Sequence, residues 1–121
     1  MKTENKTEEM INPIVITMND INERYELDFD HDAVLFAEQR GFSTDDIDRY
    51  AATKIPELFW YSFRKNHKRI TKAQSDGIIV KIGGLTTAIV ERLIKLYNQA
   101  AFTGYFSDDE ESKNPNVTVE L

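Results

Sequence analysis

The chain of 121 residues contains no cysteine. That absence removes disulfides, thiolate metal sites and cysteine nucleophiles together. No apolar run approaches the roughly 20 residues of a membrane span, and Met1 to Met10 is almost wholly polar or charged, unlike the apolar stretch of a signal peptide. A soluble intracellular protein is the expectation. Histidine is nearly absent too: His31 and His67 are the only two, far apart and on different expected elements, which argues against a two-histidine metal site. Excess positive charge is also missing, since 15 Lys and Arg face 21 Asp and Glu for a net charge of -6. That balance disfavours a surface that wraps nucleic acid or an anionic membrane as a whole, while leaving a local basic patch open.

What is present suits one modest core. Hydrophobic residues make up 40% of the chain, with one Trp, five Tyr and seven Phe among them. The run Pro13-Ile-Val-Ile-Thr-Met18 reads as a first strand by its β-branched content, and Asn19 to Asn22 supplies turn residues. Tyr25, Leu27 and Phe29 then alternate with Glu26, Asp28 and Asp30, the period of a half-buried second strand. An isolated hairpin is marginal in water, so its apolar face must lie on helices.

Five helices follow in this reading. Asp30 or Asp32 caps the first, which Gly41 ends. Ser43 with Asp46 forms a capping-box variant for a short second helix through Ala51. Pro56 disfavours helical geometry at Ile55 and suits a first turn, so a third helix restarts there and runs to about His67. Thr71 and Gln74 make a capping box for a fourth helix through Ile82, against the β-branched run Ile78-Ile79-Val80. Thr87 caps a last helix from Ala88 to about Thr103. The expected organisation is a flexible start over 1–11, a single α+β domain over 12–106, and an acidic, disordered tail over 107–121 that carries Asp108-Asp109-Glu110-Glu111. The alternating Val117-Thr-Val-Glu-Leu121 at its end has the pattern of a short strand for an exposed edge.

Candidate chemistry is sparse. Asp28, Asp30 and Asp32 have the spacing that opens a calcium loop, but Ala33 stands where the tight turn needs Gly and Gln39 where a bidentate Glu is needed. Gly83-Gly84 lacks the Lys-Ser/Thr of a phosphate loop and reads as a structural turn. There is no Gly-x-Ser-x-Gly elbow. Two features stand out instead. On a helical wheel Ile55, Leu58, Phe59, Trp60, Tyr61 and Phe63 spread too widely for one buried face, so either the helix is central to the fold or its aromatics meet another chain. Beside them lies the one basic cluster, Arg64, Lys65, His67, Lys68, Arg69 and Lys72, suited to a nucleic-acid backbone, to acidic protein surface, or to a solvated helix end.

The order of segments, with Leu35-Phe-Ala-Glu-Gln-Arg-Gly-Phe42, Ile55-Pro-Glu-Leu-Phe-Trp-Tyr-Ser-Phe63, Gly83-Gly-Leu and Glu91-Arg-Leu-Ile-Lys-Leu-Tyr97, resembles the small tail assembly chaperones of long-tailed bacteriophages and prophages of Gram-positive hosts. The likeness covers roughly residues 13–106. It implies a non-enzymatic role in the host cytoplasm without cofactors: binding the tape-measure protein and helping tail-tube subunits assemble around it, with several copies acting together. The family carries no catalytic or ligand residues to transfer. The expected contact set therefore rests on the wheel and the basic cluster: Phe59, Trp60, Tyr61 and Phe63, with Arg64, Lys65, Lys68 and Arg69 as electrostatic support. The alternatives are a minor structural tail component and a nucleic-acid-binding regulator acting through residues 64–72.

Overall fold

The structure, a computed structural model, describes residues 10–102 and 115–121. It is α+β: an antiparallel hairpin followed by four packed α-helices. Strands β1 (Ile14–Met18) and β2 (Glu23–Leu27) pair in the register Ile14 to Leu27, Ile16 to Tyr25 and Met18 to Glu23. The intervening turn is closed by Asn22 at φ 56°, a left-handed conformation that asparagine tolerates better than most residues. One face of the hairpin, with Ile14, Ile16, Met18, Tyr25 and Leu27, joins the core. Val15 and Thr17 face away and are exposed.

Helix α1 (His31–Gln39) starts at Asp30, whose Oδ1 accepts from the Ala33 N–H at 2.8 Å. Its end is a Schellman closure: Gly41 takes φ 82°, its N–H donates to the Glu38 carbonyl, and the Phe42 N–H donates to the Ala37 carbonyl. Helix α3 (Lys72–Ile82) carries the full capping box of Thr71 and Gln74 and closes the same way at Gly83, φ 87°. The reciprocal cap and this terminator outweigh the β-branched run. Helix α4 (Thr87–Phe102) begins one residue earlier than expected because Thr86, not Thr87, accepts from the Ile89 N–H. Among the described residues no helix is long and apolar enough to cross a membrane.

The middle of the chain departs from the sequence reading. In place of a second helix over Ser43 to Ala51 there is one 3-10 turn, Thr44–Asp46, where Ser43 Oγ accepts from the Asp45 N–H. Three aspartates within Asp45 to Asp48 are poor helix formers and do not propagate it. Helix α2 (Ala51–Tyr61) then runs straight through Pro56 rather than breaking at Ile55. Proline removes one bond, to the Ala52 carbonyl, and Ala52 is exposed, so water can take that acceptor. The helix ends at Tyr61, not His67, because the following residues are used to seal the hairpin: the Ser62 carbonyl accepts from the Asp28 N–H at 3.0 Å.

The core joins α1, α2 and α4 with the hairpin face, through Leu27, Phe29, Val34, Phe42, Leu58, Phe59, Phe63, Leu93, Leu96 and Tyr97. Aromatic edges meet there at ring distances of 5.2 Å, Phe29 to Tyr97, Phe42 to Tyr61 and Phe59 to Phe63. An ion pair between Lys81 and Asp20, 2.8 Å, ties the end of α3 to the hairpin turn. The acidic residues Asp108 to Glu111 lie outside the described residues, as do Met1 to Glu9. Val117 to Leu121 are exposed and are not part of the two-stranded sheet.

Candidate functional site

The expected aromatic contact set divides by depth. Phe59 is 0% exposed, Phe63 1% and Tyr61 4%, so these three are core side chains, Tyr61 and Phe63 reaching the surface only as lining of a small cavity. The wide wheel of α2 is that of a helix packed against α1, α3 and α4 at once. Trp60 alone of the four keeps a solvent-facing part, and its indole N–H donates to the Ile70 carbonyl at 2.9 Å, which fixes the ring against the segment leading to α3.

Beside Trp60 the fold assembles a surface that the wheel did not reveal. Phe36 of α1 meets Trp60 and Tyr61 edge-on, each at 6.0 Å. The guanidinium carbon of Arg40, one turn further along α1, stacks 3.8 Å from the Phe36 ring centre, and that of Arg64 lies 4.0 Å from it. Both guanidinium groups thus pack on this one ring. The Arg64 Nε is buried without a hydrogen-bond partner among the described residues. Its nearest carboxylate oxygen, Asp32 Oδ2, is 3.9 Å away, close enough for attraction but too long for a hydrogen bond. A cavity of about 40 Å³ opens here, lined by Phe36, Trp60, Arg64, His67, Lys68 and Ile70 among others. Small-molecule sites are several hundred Å³; this one has room for the tip of a side chain.

The basic cluster is not a uniform patch. Lys65 Nζ donates to Asp28 Oδ2 at 2.7 Å, and that hydrogen bond holds its ammonium above the usual lysine range. Asp28 also accepts from the Phe29 N–H, and Asp30 is the α1 cap, so two of the three spaced aspartates have structural duties and the third faces Arg64. His67 Nε2 accepts from the Glu26 N–H at 3.0 Å, and Asn66 Nδ2 donates to the Glu26 carbonyl at 3.2 Å. These two side chains stand in for a third strand along β2. Lys72 pairs with Asp76 along α3. Lys68 and Arg69, with Arg40 across the surface, remain as cations without a carboxylate partner among the described residues. Sequence reasoning named Arg64 but passed over Phe36 and Arg40; their i, i+4 spacing on the expected first helix was the available signal.

Residues 5–121 match a family described as a domain of unknown function, DUF5055, and the chain belongs to that family. Neither a curated protein nor a solved structure matches it.

Proposed function

We propose that this DUF5055 protein is a non-enzymatic assembly chaperone of bacteriophage tails, binding the tape-measure protein and aiding tail-tube assembly in the host cytoplasm. The resemblance of residues 13–106 to that class of protein motivates the reading. The observation that supports it is the surface formed by Trp60, Arg40 and Arg64 around Phe36. Trp and Arg are the residue types that dominate protein-interface energetics. Here both are rigidly seated, by Ile70 and by the shared ring, so little rotamer freedom is lost on contact. Such a surface suits an extended, largely helical partner that presents apolar side chains flanked by acids.

The test is co-expression with a long-tailed phage's tape-measure protein, then pull-down and light scattering after size exclusion. A soluble multi-copy complex is expected, lost on Arg40→Glu, a substitution at an exposed site that leaves the core untouched. A partner that aggregates whether or not this protein is present would sink the reading. Nucleic-acid binding is less well supported, because Lys65 is occupied by Asp28, leaving about three free cations and a shallow salt dependence. A structural tail component would be found in purified virions, whereas a chaperone would not.

A further inference from the structure

Among the described residues the hairpin is sealed on one side only. Glu26 turns its N–H to His67 and its carbonyl to Asn66, away from β1. In an antiparallel pair the residue opposite, Val15, must then turn its own N–H and carbonyl outward, and so must Thr17 opposite Arg24. Among the described residues nothing pairs with that outer edge of β1. Its five residues, Ile-Val-Ile-Thr-Met, contain no charge and no proline, the devices by which exposed edges are normally kept from pairing. Val15 is 47% exposed on it.

The same chain carries a segment that matches this edge. Val117-Thr-Val-Glu-Leu121 is also five residues, alternates β-branched or apolar with polar side chains, and lies open, Val119 at 63% exposure. Where it leaves the fold matters: α4 ends beside the entry to β1, since the Ile11 N–H donates to Gln99 Oε1 at 2.9 Å. Fourteen intervening residues, 103–116, can span about 50 Å when extended. Along the way Met10 and Ile11 border a groove with Glu91, Arg92 and Lys95 of α4. Within one chain the segment and the edge nonetheless stay apart.

We propose that the outer edge of β1 receives Val117 to Leu121 of a second copy of this chain, adding a third strand to the sheet in trans. Each copy holds one donor and one acceptor. Two copies can exchange strands reciprocally and close, which covers both edges by a two-fold arrangement. This inference is independent of the function proposed above.

The experiment uses three chains: wild type, Thr17→Pro, and a form lacking 117–121. Thr17→Pro deletes only an outward N–H on an edge strand, so the ladder to β2 survives; circular dichroism checks both variants for folding. Light scattering across a concentration series into the millimolar range should give wild-type mass rising to twice that of one chain, with each variant alone monomeric. An equimolar mixture of the two variants should recover a dimer, because one retains the donor and the other the acceptor. Hydrogen exchange at the Val15 and Thr17 amides should slow by at least tenfold on assembly. A wild type that stays monomeric, a dimer indifferent to both changes, or protection of these amides in a monomer, which would mean docking within one chain, each overturns the proposal.

Discussion

Replacing His67 tests whether a side chain can serve as a strand. Three substitutions separate its two jobs. His67→Ala removes the acceptor for the Glu26 N–H and also the ring that meets Tyr25 at 5.3 Å and Phe63 at 6.2 Å. His67→Phe keeps a ring and deletes only the acceptor. His67→Gln places an amide oxygen the same number of bonds from Cα as Nε2 and so restores an acceptor without a ring. A half-buried N–H left unpaired costs about 1–3 kcal/mol, and each edge-on aromatic contact contributes about 0.5–1.5 kcal/mol beyond its area. The Ala variant should therefore lose about 2–6 kcal/mol, and the Phe variant about 1–3 kcal/mol. The Gln variant, which keeps the acceptor but loses both ring contacts, should also lose about 1–3 kcal/mol, so hydrogen exchange rather than stability separates it from Phe. Urea unfolding gives the free energies, with an unchanged slope expected because the surface exposed on unfolding is the same. Native-state hydrogen exchange at Glu26 should accelerate in Ala and Phe but not in Gln. If the Phe variant matches wild type within about 0.5 kcal/mol and its Glu26 amide exchanges no faster, the side-chain strand contributes nothing and the argument fails.

Further outcomes follow from other sites. Burial raises the Tyr97 phenol from 10.0 to about 12, so the unfolded chain loses this proton first and stability should fall as pH rises from 10 to 12, by about 2–3 kcal/mol; denaturation midpoints against pH, with phenolate absorbance as the site readout, check it. Lys65→Ala leaves the 8% exposed Asp28 with only the Phe29 N–H, and because Lys65 is itself partly solvated the expected loss is about 1–2 kcal/mol, read from urea unfolding in low salt. Pro56→Ala returns an N–H to the Ala52 carbonyl inside α2 and should stabilise by about 1–2 kcal/mol, net of the freedom regained by the unfolded chain; a lower melting temperature would show that the ring packs better than alanine.

Local signals were enough where local bonds decide the structure. The period-2 alternation from Tyr25 to Phe29 marked β2, the Thr71 and Gln74 pair marked the start of α3, and the one-sided face of α4 marked a core helix. The middle of the chain was illegible for a physical reason. Whether residues 62–67 continue a helix depends on what else needs them, and the claims of Asp28 and Glu26 on Ser62, Asn66 and His67 come from residues about 35–40 positions away. A helical wheel likewise counts faces but not neighbours, so it could not distinguish an α2 buried on several sides from one offering its aromatics to a partner. The surface around Phe36 needed both kinds of information, Arg40 from one turn away and Arg64 from a different element.

That same non-local seal decides how the two proposed surfaces relate. The segment 62–67 covers the outer side of β2 and then leads through Lys68 to Ile70, into the wall of the cavity by Trp60. The free edge is that of β1, on the opposite side of the hairpin, with β2 lying between. Strand exchange at β1 would therefore leave Trp60, Arg40 and Arg64 open on each copy, and a dimer would present the surface twice. Two weak contacts joined in one particle gain by effective concentration, by factors of about 10²–10⁴ when the spacing fits the partner. A long partner with repeated apolar and acidic stretches rewards that arrangement, and Thr17→Pro should then weaken binding to it even though Thr17 lies away from the Phe36 pocket and never touches the partner.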